Sequence, residues 1–170
     1  MSRVKTTNSR SRSQPGFTII ELLAAVVIVG ILVALALPSY RETVARSRRA
    51  DARVALGGLA VAMERFYTGL TTAQVTTSGY ALAVGASNAP LASVFASAVP
   101  IDGSATSPKF YNLLITDAST TAFTLQAVPT GRQAGDRCGT FTLTSTGVRA
   151  LIINQSPIAP TDARVADCWR

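Results

Sequence analysis

From Gly16 to Tyr40 the chain reads GFTIIELLAAVVIVGILVALALPSY. Phe17–Leu37 is a run of 21 residues with one charged member, Glu21, and Pro38 closes it. As a helix it rises ~30 Å, the thickness of a bilayer's hydrocarbon core. Two ordinary readings compete for such a run. One is a cleaved secretory signal, for which Ala34-Leu35-Ala36 resembles a peptidase site. The other is a passive anchor. Neither accounts for Glu21. A carboxylate at the centre of a spanning helix costs ~2.5–3.5 kcal/mol and less near the edge, where this one lies. Intramembrane acids are usually functional and partnered. No basic residue lies between Phe17 and Tyr40, so a partner must come from elsewhere. A free α-amino group at Phe17, made by cutting after Gly16, would serve.

Working outward, residues 1–16 carry Arg3, Lys5, Arg10 and Arg12 and no acid, so a large part of the net +7 belongs to this arm. The remaining 154 residues hold 12 basic and 9 acidic side chains. With 48% hydrophobic and 15% charged residues, the 170-residue chain has material for a core and is no disordered polyelectrolyte. The absence of histidine removes Ser-His-Asp triads, Cys-His pairs and histidine-ligated zinc. There is no Walker loop, Gly-x-Ser-x-Gly elbow or paired-carboxylate motif either. An enzyme is therefore not expected, and no catalytic residue, metal or cofactor is assigned.

The run Gly16-Phe17-Thr18-Ile19-Ile20-Glu21-Leu22, behind a short basic leader and ahead of an apolar helix, resembles the class III signal of type IV pilins and pseudopilins. The resemblance implies that a prepilin peptidase cuts between Gly16 and Phe17 and N-methylates Phe17. The apolar helix would sit first in the inner membrane. An assembly platform would then draw it into a filament of pilin subunits. Glu21 would pair there with the Phe17 amine of an adjacent subunit, since either charge alone is costly in an apolar bundle. Gly30 and Pro38 match the family's weak points, where the helix kinks or melts. For Pro38 the plain end of a membrane helix is an equal reading.

Residues 39–69 continue with helical spacing: Val54-Ala55, Leu59, Ala62-Met63, Phe66-Tyr67 and Leu70. This stripe should pack on a sheet, with Gly57-Gly58 allowing close packing or a bend. Arg41, Arg46, Arg48, Arg49 and Arg53 form a candidate basic patch, facing solvent, anionic lipid, neighbouring subunits or DNA. Residues 70–108, rich in Thr, Ala, Ser and Gly, read as a long connection, with a short strand conceivable near Tyr80–Val84. The family has its variable αβ-loop here. Beyond 109 the residues alternate as in half-buried strands over Phe110–Thr116, Ala122–Pro129, Cys138–Thr144 and Val148–Ile153. The expectation is α+β: a long N-terminal helix, its apolar half protruding, packed on a four-stranded antiparallel sheet.

Cys138 and Cys168 can form one disulfide, closing a loop of roughly 30 residues and tying a tail of little strand character. An oxidising compartment puts residues 39–170 in the periplasm, which the flanking positive charges leave undecided. The resemblance extends here, since type IVa pilins enclose a D-region with such a bond. The Cys138-Gly139 opening and Cys168-Trp169 ending are similar to PilE-like minor pilins.

The implied division is a cleaved leader (1–16), a transmembrane and filament-core helix (17–38), its amphipathic continuation (39–69), the αβ-loop (70–108), and the sheet with the D-region (109–170). The function expected is a structural subunit of a retractable type IV pilus, as a minor rather than a major pilin. It would lie in the inner membrane, C-terminus periplasmic, before assembly and in the extracellular pilus afterwards. A type II secretion pseudopilin is the second reading, disfavoured by scattered acids that make no calcium site. A DNA-receptor pilin is the third. It needs Lys109, Arg132, Arg137, Arg149, Arg164 and Arg170 to converge into a basic stripe, which a sequence does not show.

Overall fold

The computed structural model describes residues 16–101 and 106–170. The basic leader up to residue 15, and Asp102, lie outside the described residues. The chain divides into two compact units, Met1–Arg41 and Glu42–Arg170. Helix α1 (Ile19–Thr68) starts in the first and ends in the second. It runs through Pro38, which lacks the N–H that would bond the Ala34 carbonyl. The Thr18 hydroxyl accepts from the Glu21 amide at 3.3 Å and caps its start. At its end the Gly69 amide donates to the Phe66 carbonyl at 3.1 Å.

Within the first unit every described residue, Gly16 to Arg41, is exposed. An uncovered apolar run of this length belongs in lipid or in a bundle of like helices.

The second unit has its own core. Ala52, Ala55, Leu56, Leu59 and Met63 of α1 are buried, while Val54, part of the expected stripe, is 74% exposed. Against this face lies an antiparallel sheet ordered β1-β2-β3-β4-β5-β6. Its strands are β1 (Ala98–Val99), β2 (Tyr111–Ala118), β3 (Phe123–Pro129), β4 (Thr140–Thr144), β5 (Arg149–Ile153) and β6 (Ser156–Ile158). Alternate residues supply the core: Tyr111, Leu113 and Ile115 from β2, Phe123, Leu125 and Ala127 from β3, Phe141 from β4 and Leu151 from β5.

The sheet has six strands, not four. The four expected strands correspond to β2–β5. The additions, β1 with two residues and β6 with three, are too short for an alternating pattern to show. β6 is reached through Asn154 and Gln155, with φ of 51° and 64°, the two left-handed positions that a tight hairpin needs. Asn is common there and Gln is not, which hid the turn. The tail also ends in a short helix, α3 (Ala163–Trp169). Asp162 caps it by accepting from the Arg164 amide at 2.9 Å. Its carboxyl is held down at about 2 by the Arg164 side-chain and backbone hydrogen bonds.

Residues 70–101 are more ordered than their composition indicates. Helix α2 (Thr72–Thr77) starts from a Thr71/Gln74 capping box. The strand considered near Tyr80–Val84 is instead a 3-10 turn, Gly79–Ala83, followed by a single bridge between Val84 and Pro90. Gly79 has φ +53° and lies against the Thr120 backbone, where any Cβ would collide. Tyr80 stacks on Tyr67 at 4.4 Å, meets Phe123 edge-on at 4.9 Å, and donates to Glu64 at 2.8 Å. Burial and the Glu64 carboxylate push the Tyr80 hydroxyl up to about 12. At Gly58 the ring of Phe95 comes so close that a Cβ would sit 3.0 Å from it, so this glycine serves close packing.

Cys138 and Cys168 are disulfide-bonded, their Cα atoms 5.8 Å apart. Next to them Trp169 packs edge-on against Phe141 at 5.4 Å and donates to the Ala150 carbonyl at 3.1 Å. Replacing both cysteines by serine should lower stability by about 2–4 kcal/mol. Urea denaturation of the oxidised wild type beside the double variant checks this, and equal midpoints would refute it.

Candidate functional site

Two regions carry the sequence-derived candidates, one in each unit. In the first, Gly16 and Phe17 precede α1, and Glu21 sits in its first turn. Thr18-Ile19-Ile20-Glu21 has Thr and Glu at capping-box spacing, and the Thr18 half of that box is formed. Glu21 is exposed and forms no ion pair among the described residues. It therefore has a local role, favouring the helix start, besides any role between subunits. Gly30 has open space around it, and Pro38 lies inside the continuous helix. Arg41 is exposed at the end of this unit.

The second region is built on the arginines after Glu42. Arg49 does not belong to an exposed basic patch: it is only 5% exposed. Its Nε lies 3.0 Å and 2.8 Å from the two oxygens of Asp136, and its Nη1 lies 3.0 Å from Glu42. Burial alone would lower the guanidinium's pKa, but the bonds to Glu42 and Asp136 reverse this and raise it, so it stays charged. The same carboxylate of Asp136 accepts from the Cys138 amide at 2.7 Å and from the side chain of Gln133. Tyr111 lies nearby, and burial followed by the Asp136 charge pushes its hydroxyl up. The spacing 49, 52, 56, 59, 63 places Arg49 on the core stripe of α1. That signal was present in the sequence, and the run of arginines masked it.

Glu42 is shared. It accepts from Arg46 at 3.3 Å and Arg49 at 3.0 Å, with Arg137 at 3.6 Å. The Arg49 hydrogen bond is the largest influence holding its carboxyl below the usual range. Arg48 lies over the Phe110 ring at 4.0 Å. Arg53 donates to the Arg49 carbonyl at 3.3 Å.

The six basic residues of the sheet region do not form one stripe. Lys109 donates to the Pro100 carbonyl at 2.9 Å, and Arg164 is held by Asp162 at 2.9 Å. Arg149 lies 5.3 Å from the Trp169 ring centre, and Arg132 is exposed in the 3-10 turn Gly131–Gln133. Arg137 and Arg170, by contrast, come together with Arg46 and Arg53. The i,i+4 spacing of Glu42 and Arg46 is legible in the sequence, but the sharing of Glu42 with Arg137 and the convergence of Arg170 on Arg53 are not, because both join residues far apart in the chain.

An exposed apolar helix start with a lone acid, and an α+β unit closed by a C-terminal disulfide, are the features that the resemblance to type IV pilins implies. A model of the prokaryotic N-terminal methylation motif matches residues 11–37. A model described as type IV minor pilin ComP, DNA uptake sequence receptor, matches residues 38–142, more than half of the chain. The chain belongs to this family of type IV minor pilins.

Curated relatives match over shorter stretches. Fimbrial protein EcpC of Eikenella corrodens is 46% identical over 55 residues, 32% of this chain and 36% of the relative. The type IV major pilin protein PilA of Myxococcus xanthus is 41% identical over 66 residues, 39% of this chain and 29% of the relative. A type IV major fimbrial protein FimA of Dichelobacter nodosus is 48% identical over 48 residues, 28% and 30% of the two chains. The chain thus spans about a third of the length of these relatives.

Replacing Arg49 by Met should leave Asp136 buried and uncompensated, at a cost of about 3–5 kcal/mol. Chemical denaturation of the purified protein measures this. A change below 1 kcal/mol would show that the pair is not what anchors α1 to the turn before β4.

Proposed function

We propose that this chain is a minor subunit of a type IV pilus that contacts DNA, a structural protein without catalysis. The family model over residues 38–142 carries the reading, since its description names a DNA uptake sequence receptor. The charge pattern supports it. Within Glu42–Arg170 the ion pairs absorb Glu42, Asp136, Asp162 and Asp167, while Arg48, Arg53, Arg132, Arg149 and Arg170 form no ion pair among the described residues. Unpaired guanidiniums on a folded unit are what a phosphate backbone requires.

The life history belongs to the same proposal. The membrane would hold Phe17–Leu37 with the second unit periplasmic, prepilin peptidase would act at Gly16–Phe17, and an inner-membrane platform would move the subunit into the filament. The division into leader, core helix, amphipathic continuation, αβ-loop, and sheet with D-region is retained as part of it. Gly30 and Pro38 would be where the helix yields on assembly. Glu21 would pair with the new Phe17 amine of a neighbour, which favours axial register more than stability.

Gly16→Val should leave the leader attached, and a mature-length product in that variant would refute the cleavage site. Glu21→Gln keeps a capping-box side chain but deletes the charge. It should be processed normally yet be depleted from sheared filaments, as peptide mass spectrometry of an N-methylated Phe17 terminus would show. Undiminished incorporation would refute the pairing. The detergent-solubilised mature protein should bind duplex DNA in fluorescence anisotropy, with log affinity falling linearly in log salt. Absence of binding at low salt would overturn the DNA reading and leave the pilin assignment standing.

A further inference from the structure

Five arginines from three parts of the fold line one concavity of about 260 Å³. Arg46 and Arg53 come from α1, Arg137 precedes Cys138, and Arg170 follows α3. Arg49 forms part of the wall but is spent on Asp136 and Glu42. The disulfide holds the cleft's two sides together, because Cys168 lines it and Cys138 adjoins Arg137. The carboxylates are too few. Glu42 is divided among three guanidiniums, and Asp167, which also lines the cleft, reaches only Arg137 at 3.4 Å. Arg53 and Arg170 meet no carboxylate among the described residues.

Such an arrangement is costly in the absence of an anion. Like charges brought into one concavity repel, and low-dielectric walls concentrate their field. Guanidinium forks match phosphate oxygens in geometry, and a bidentate, charge-assisted pair is stronger than a neutral hydrogen bond. The space admits a five-heavy-atom phosphate group with several waters, each needing about 30 Å³.

We propose that this cleft seats a backbone phosphate of DNA, with Arg53 and Arg170 as its principal donors and Arg46 and Arg137 at the rim. The proposal rests on the DNA reading above and names its contact. Arg170 lies outside the residues matched by the family model, so the cleft joins the matched region to the disulfide-tied tail. A phosphate seat fixes position and carries no base preference.

The test uses full-length mature protein in detergent, with the wild type, Arg53→Gln/Arg170→Gln, and Arg48→Gln/Arg132→Gln compared on two duplexes of unrelated sequence. Thermal melting of each variant first establishes that the fold is kept, and Arg53→Lys/Arg170→Lys is the rescue. The cleft pair should lower the magnitude of the salt slope by about 1 per arginine removed, weaken both duplexes alike, and be largely restored by lysine. If the wild type binds and the cleft pair matches it while Arg48→Gln/Arg132→Gln weakens binding, the seat is elsewhere and only this proposal falls. If the wild type binds no DNA, both readings fall together. A third arm uses phosphatidylglycerol vesicles. Loss of vesicle binding in the cleft pair, with DNA binding unchanged, would assign the cleft to lipid and overturn the proposal.

Discussion

The carboxylate of Asp136 is the point on which the second unit's arrangement hangs. It lies 1% exposed and takes the guanidinium of Arg49, the amide of Cys138 and the side chain of Gln133. A buried carboxylate with fewer partners would be strongly unfavourable, because desolvation removes several kcal/mol that only pairing restores. Satisfying it therefore forces α1, the 3-10 turn and the start of β4 into one relation. That relation places Cys138 opposite Cys168, and Gly139 at φ +60° against the Ile152 carbonyl, where a Cβ has no room. The tail follows from it: the disulfide fixes α3, and α3 fixes Trp169 on Phe141.

A buried ion pair is a poor source of net stability, and an apolar replacement of the same shape often does as well. What it supplies here is position. Its guanidinium, spent on two carboxylates, holds a fixed charge at the back of the arginine cleft. Its partner Glu42 stays part-exposed at the rim, where Arg46 and Arg137 share it. The basic surface is thus set by how α1 is docked. A variant that loosened the docking would spread the arginines apart even with each still present.

Periodicity made much of this legible. The helix, the four longer strands and the apolar N-terminal run follow from patterns longer than four residues, which hydrophobic burial writes directly into the chain, and the disulfide follows from the presence of two cysteines. The two- and three-residue edge strands leave no such trace, and Asn154-Gln155 is an unusual pair for a left-handed turn. α3 is seven residues long and depends on its Asp162 cap and the disulfide more than on an apolar face. Arg49 was readable as a core position from its spacing to Ala52, Leu56, Leu59 and Met63, but charge is the stronger cue to the eye. Arg170 gave no sign of meeting Arg53. That meeting is a product of long-range register, which no local pattern encodes.

The two units answer opposite electrostatic demands. Phe17–Leu37 holds a single acid, whose position in the first turn keeps it useful to the helix start while it forms no ion pair among the described residues. On the proposed assembly, an acid carried into an apolar bundle would select for a partner, and so for register between subunits. The second unit gathers guanidiniums beyond what its carboxylates can neutralise, which disfavours self-association of that surface and favours a polyanion. Counterion release makes such binding dependent on salt and on the number of phosphates met, so one cleft yields only a weak contact. Several subunits in one filament would raise the effective concentration of seats along a single duplex, and avidity then supplies what one site lacks. A sparse component of a filament can therefore hold DNA with modest clefts, provided that assembly, governed by the first unit, sets their spacing.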